Sequence, residues 1–167
     1  MGDDPGARLE RHALNMGKLV GNLLMLELAA RLFISAQDER NRVQIQIQHV
    51  KEGDRVPINP LTNGDDLRRT LEKYNKRAPT TYRLDIAPIV RLRDAIAHGC
   101  MFGFGSFDNV PRLVKFGMQK KSGTVGVTMV IDMTATWFTQ NNTLVFAALN
   151  RVRLALGWEE QEFTRKK

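Results

Sequence analysis

The chain opens on a long run in which apolar side chains recur at helical spacing. Over residues 7–37, Leu9, Met16, Leu19, Val20, Leu23, Leu24, Leu28 and Phe33 cover more than one face of a helix. A helix apolar nearly all round lies at the centre of a fold or packs against a partner chain, and either arrangement suits a helical dimer. Asp3, Asp4 and Pro5 suit its start, where acidic groups meet the positive end of the helix dipole. The period then changes. Residues 43–49 alternate strictly, with Val43, Ile45 and Ile47 on one side, which predicts a strand. Pro57, Pro60 and Asn63-Gly64 mark residues 52–64 as a loop.

Helical spacing returns at residues 65–76, with Leu67, Leu71 and Tyr74 inward and charges outside, and Pro79 beyond the end. A third helix is predicted over 86–98. Pro88 stands in its first turn, Ile89, Leu92 and Ile96 form its core stripe, and Gly99 is placed to cap its C-terminus. Residues 99–110, rich in Gly and Phe, read as a loop. Residues 113–118 and 124–133 are strand-like and joined by a short polar turn, so they predict a hairpin. A last helix is predicted over 134–157, with Trp137, Leu144, Val145, Ala148, Val152 and Ala155 buried. The charged tail after it is expected to fray. The pattern predicts one mainly α domain over residues 1–167, a helical bundle carrying a small β-hairpin insertion.

Composition narrows the setting. A net charge of +7 and a pI near 9.9 favour an anionic partner such as RNA, while a solvated basic surface accounts for the charge equally well. The single cysteine, Cys100, excludes an internal disulfide framework and suits a reducing compartment. The N-terminus lacks the basic-then-apolar order of a signal peptide. Asn22, Glu27 and Arg31 interrupt the most apolar stretch and would be costly in a bilayer, so a buried helix is expected rather than a membrane span, with the cytoplasm as the compartment.

Candidate chemistry concentrates in Arg93-Asp94-Ala95-Ile96-Ala97-His98-Gly99. On an ideal helix Asp94 and His98 lie about 40° apart and can touch, whereas Arg93 and His98 lie about 140° apart. Those two converge only through the reach of the arginine, through unwinding at Gly99, or across a two-fold axis. Arg91, seven residues before His98, falls within about 20° of it. An arginine and a histidine near a helix C-terminus also interact well with its dipole, and Asp94-His98 would be an ordinary surface pair without any catalytic role.

This stretch resembles the motif of the HEPN superfamily (higher eukaryotes and prokaryotes nucleotide-binding): an arginine, often a polar residue directly after it, and a histidine four to six residues further on. Arg93, Asp94 and His98 fill the three places, with the minimum spacer. The resemblance is specific over about eight residues. It implies an antiparallel helical bundle that dimerises and a metal-independent endoribonuclease, often a toxin or antiphage effector, with an antitoxin or regulatory protein as a further partner. A subgroup of such toxins has a tyrosine two places after the histidine, where this chain has Cys100. Two other readings stand beside it: a catalytically inactive HEPN-like module that binds nucleotide, RNA or protein, and a plain helical dimerisation domain.

In the catalytic reading His98 exchanges protons with the RNA 2′-hydroxyl or the leaving 5′-oxygen, Arg93 binds the phosphate, and Asp94 orients one of them. No metal or cofactor is called for. Arg91, Lys120 and Lys121 are candidate contacts to the RNA backbone, the last two at the hairpin tip. Glu27 and Arg31, four apart, are expected to form a structural salt bridge; the sharper alternative has Glu27 directing an arginine of the motif. His12 and His49 lack neighbours that would suggest metal binding or catalysis. Cys100 stands two residues after His98 without a Cys-His nucleophile pattern, so a buried thiol is expected there.

Overall fold

A computed structural model describes residues 4–38, 50–103, 110–119 and 123–158. Four α-helices and a three-stranded antiparallel sheet are present among them: α1 (Pro5–Gln37), α2 (Leu67–Arg77), α3 (Ile86–His98), β1 (Cys100–Phe102), β2 (Arg112–Gln119), β3 (Val125–Asp132) and α4 (Ala135–Ala155). A short 3-10 turn, Thr80–Tyr82, leads from α2 toward α3. The predicted strand at 43–49, Lys120 and Lys121, and the tail beyond residue 158 lie outside the described residues.

The chain divides into two compact units, one of Met1–Leu23 and Ala87–Phe146, the other of Leu24–Ile86 and Ala147–Lys167. In the first, Leu19 and Leu23 of α1, Ile89, Val90, Leu92 and Ala95 of α3, Leu113 of β2, and Phe138 and Val145 of α4 are buried. Ile96, Trp137 and Leu144, expected inside, are half-buried, as is Ala155 near the end of α4. Thr134 caps α4, its hydroxyl accepting from the Trp137 backbone N–H at 3.0 Å.

In the second unit, Leu26, Ala29, Ala30, Phe33 and Ile34 of α1 are buried, as are Leu67, Leu71 and Tyr74 of α2. The Phe33 and Tyr74 rings meet edge to face with centroids 5.0 Å apart. Asp66 caps α2 by accepting from Arg69 N at 2.8 Å.

The polar residues inside α1 have protein partners. Asn22 Nδ2 donates to Asn142 Oδ1 at 3.0 Å. Arg31 donates to Glu27 Oε1 through Nε at 3.1 Å and Nη2 at 2.8 Å. By length and composition alone, Gly6–Gln37 is long enough and apolar enough to cross a membrane. Its buried positions belong to the two cores, and Asn22, Glu27 and Arg31 are satisfied within them.

Two expectations need correction. The insertion is not a hairpin alone: Cys100–Phe102 forms a third strand, with Cys100 opposite Val114, Met101 opposite Leu113 and Phe102 opposite Arg112. Three residues are too few to show an alternating pattern, so the stretch reads as loop in sequence. It ends at Gly103, whose φ of +94° suits a residue without Cβ. The second correction concerns Gly99. Its φ is not positive, so it is no left-handed cap. Its N–H continues the helical pattern to Ala95 O at 2.8 Å, and an added Cβ would stand 2.5 Å from that oxygen and 2.6 Å from Leu113 Cδ1. Glycine is required here for close approach of α3 to β2.

Candidate functional site

That close approach builds the site. Leu113 is buried against the end of α3, opposite Met101 on one side and Ile131 on the other. Strand side chains alternate, so Lys115 stands on the same face of β2 as Leu113. Lys115 is also the last residue before the β2–β3 register shifts: it opposes Met129, while Phe116 already opposes Val127. Bulges of this kind re-aim side chains. From this position Lys115 Nζ donates to Asp94 Oδ2 on α3.

Asp94 therefore has two basic neighbours. Lys115 binds one carboxylate oxygen, and His98 Nε2 lies 3.7 Å from the other, Oδ1, which is beyond hydrogen-bond range. The hydrogen bond from Lys115 holds the Asp94 carboxyl below its usual range; partial burial opposes the shift, and the charges of Lys115, His98 and Arg93 add to it. The i,i+4 contact of Asp94 with His98 is the one that helix spacing predicts.

His98 ends α3 with its side chain 60% exposed, and Arg91 and Arg93 are exposed on the same helix. Among the described residues neither arginine has a side-chain hydrogen bond or ion pair, so both guanidinium groups keep their donors for a ligand. The end of α3 thus carries an imidazole with a carboxylate behind it, Arg91 on the same side of the helix and Arg93 about 140° away. That set can exchange a proton and bind a phosphate.

Glu27 and Arg31 serve structure in the second unit. Besides Glu27, Arg31 donates through Nη1 to Asn63 Oδ1 at 2.8 Å, Pro60 O at 3.0 Å and Asn63 O at 3.3 Å, and through Nη2 to Asp65 O. Glu27 accepts from Arg31 of its own helix, which is the salt bridge that the spacing suggests. Arg31 pins the loop before α2.

Lys115 is the site residue that the sequence reading passed over. Its signal was a lysine inside the strand Arg112–Gln119, two places from a core leucine, where its charge needs a partner. On the opposite face of the sheet, Phe102 and Phe116 lie edge to face with centroids 6.3 Å apart, and both are exposed, as is Val130; Cys100, expected as a buried thiol, is exposed there too because it opens the edge strand β1. Arg112 and Asp132 pair on that face at 2.7 Å. Among the described residues, no three His, Cys, Asp or Glu side chains group as metal ligands.

No family model matches the chain, and no curated protein or solved structure was found to be similar to it.

Proposed function

We propose that this chain is a metal-independent endoribonuclease of HEPN type that cuts RNA at a site completed by a second copy of itself, acting in the cytoplasm as a toxin or antiphage effector. The observation that carries this reading is the exposed end of α3, which carries Arg93 and His98 on different sides of the helix and Asp94 in Coulomb contact with His98. In the reaction the 2′-oxygen attacks phosphorus and the bond to the 5′-oxygen breaks. One His98 takes the 2′-hydroxyl proton, and the partner copy's imidazole protonates the leaving oxygen. Arg93 donates to the phosphate oxygens, where charge builds. The products are a 2′,3′-cyclic phosphate and a 5′-hydroxyl. DNA lacks the nucleophile.

Two copies are needed because Arg93 and His98 point about 140° apart on one helix. Leu24, Met25 and Leu28, close together on α1, are exposed, and exposed apolar side chains favour burial against a partner chain. The test is incubation of the protein with mixed RNA in EDTA, beside a His98→Ala variant. Cleavage leaving 2′,3′-cyclic ends, slowed about 100-fold or more by the substitution, supports the reading. Equal cutting by both proteins overturns the role of His98.

A second reading, a catalytically inactive RNA-binding module, draws on the outer sheet face. Phe102 and Phe116 are exposed side by side there, as in surfaces on which unpaired bases stack. RNA bound but left intact by the parent protein is the outcome that favours it.

A further inference from the structure

We infer that Lys115 governs the charge state of His98 through Asp94, which makes it a positioning residue of the proposed nuclease site. The inference rests on that reading for its catalytic meaning, but the electrostatic arrangement is open to measurement without RNA.

A carboxylate beside an imidazole favours the imidazolium. An imidazole that must accept a proton is useless while it is held charged. Asp94 is four residues before His98 on the same helix and, left to itself, would close the 3.7 Å gap and hydrogen-bond the ring. Lys115 stands against that. It occupies Asp94 Oδ2 and draws the carboxylate toward β2, and its own side chain is only 26% exposed, against 42% for Asp94 and 60% for His98. Much of the carboxylate's field is therefore met by a cation other than His98. The other charged or titratable groups near the ring in sequence are Arg91 and Arg93 on α3, both exposed, and Cys100, which opens β1. On the sheet, Arg112 and Asp132 neutralise each other. Lys115 is thus the group that decides how much of Asp94 reaches the imidazole.

The geometry also explains why the lysine comes from the sheet. A cation on β2 approaches Asp94 from the face that packs on α3, and Gly99 brings that face close enough for a lysine to span it.

The experiment is a pH titration of the His98 ring resonance in the free protein. The chain has three histidines, and the signal lost in His98→Ala identifies the one required. In Lys115→Met the midpoint of the His98 titration should rise above that of the parent, because the freed carboxylate now faces the ring. Lys115→Arg, which keeps the cation, should restore the parent value. In an Asp94→Asn background, Lys115→Met should move the midpoint far less. An unchanged or lowered midpoint in Lys115→Met overturns the inference. So does an equal rise with and without Asp94, since that would mark direct repulsion between Lys115 and His98. Should the methionine variant fail to fold, Lys115→Gln removes the charge while keeping a donor and answers the same question. The nuclease reading fails separately, through the RNA assay.

Discussion

A β-carbon at Gly99 would stand 2.6 Å from Leu113 Cδ1. The same atom would meet Ala95 O at 2.5 Å, and a backbone oxygen held in a helix cannot turn aside as a flexible side chain can. Gly99→Ala is therefore expected to push the end of α3 away from β2, at a cost of about 1–3 kcal/mol, the range for overpacking in a closed core. Chemical unfolding measures the loss. RNA cleavage should fall further than stability alone explains, because His98 is the neighbouring residue. An alanine variant as stable as the parent would mean that helix and strand do not approach this closely.

The bounds of α3 were legible because the two residues that frame the helix leave local marks. Pro88 fits a first turn and the apolar stripe runs out at Gly99. The reason for Gly99 was not legible: a left-handed cap is decided by the backbone at that residue, whereas close approach is decided by Leu113, fourteen positions along. Asp94 with His98 could be read from helix spacing, but Asp94 with Lys115 could not. That pair depends on the register of β2 and on how β2 lies against α3, and neither is local. The third strand escaped for a related reason, since Cys100–Phe102 is shorter than two alternations and is defined by its partner strand.

Arg31 makes the densest set of hydrogen bonds from a single side chain among the described residues, joining Glu27 to the carbonyl oxygens of Pro60, Asn63 and Asp65 and the side chain of Asn63. Its side chain is 12% exposed. A lysine keeps the charge, but one ammonium cannot reach acceptors spread around a planar fork. Arg31→Lys should lose about 2 kcal/mol or more, through acceptors left without donors in a partly buried place. Limited proteolysis should then nick residues 57–66 faster than in the parent. A variant with an unchanged unfolding midpoint and digestion rate would show that the loop is held by other contacts, of which the turn around Asn59 is the first to test.

Thr70, 1% exposed on α2, has a hydroxyl with no hydrogen-bond partner among the described residues. An unsatisfied buried polar group costs about 1–3 kcal/mol. Valine has nearly the same shape and a helix propensity close to that of threonine. Thr70→Val should raise stability by about 1 kcal/mol, with Tm rising accordingly. A fall in Tm would mean that the hydroxyl contributes a bond to the fold.

Tyr74 is fully buried, and its hydroxyl donates to Tyr82 O at 2.9 Å. Burial pushes its phenol up to about 12, with the charge of Arg151 opposing and Tyr82 adding to the rise. The unfolded phenol titrates near 10. Below pH 10 both states hold the proton, so the contribution to stability is complete there. Between pH 10 and 12 the unfolded chain gives up its proton while the folded protein retains it, and stability falls as pH rises. The loss by pH 12 is on the order of 2 kcal/mol. Tyr74→Phe lacks this slope. It gives up the hydrogen bond to Tyr82, about 1 kcal/mol at neutral pH, but has no phenol at this position to titrate. Urea unfolding at pH 8, 10 and 11.5 should therefore show the parent ahead at pH 8, a narrower gap at pH 10 and the variant ahead at pH 11.5. Parallel curves across that range would mean that the Tyr74 proton is released as easily from the folded protein as from the unfolded chain.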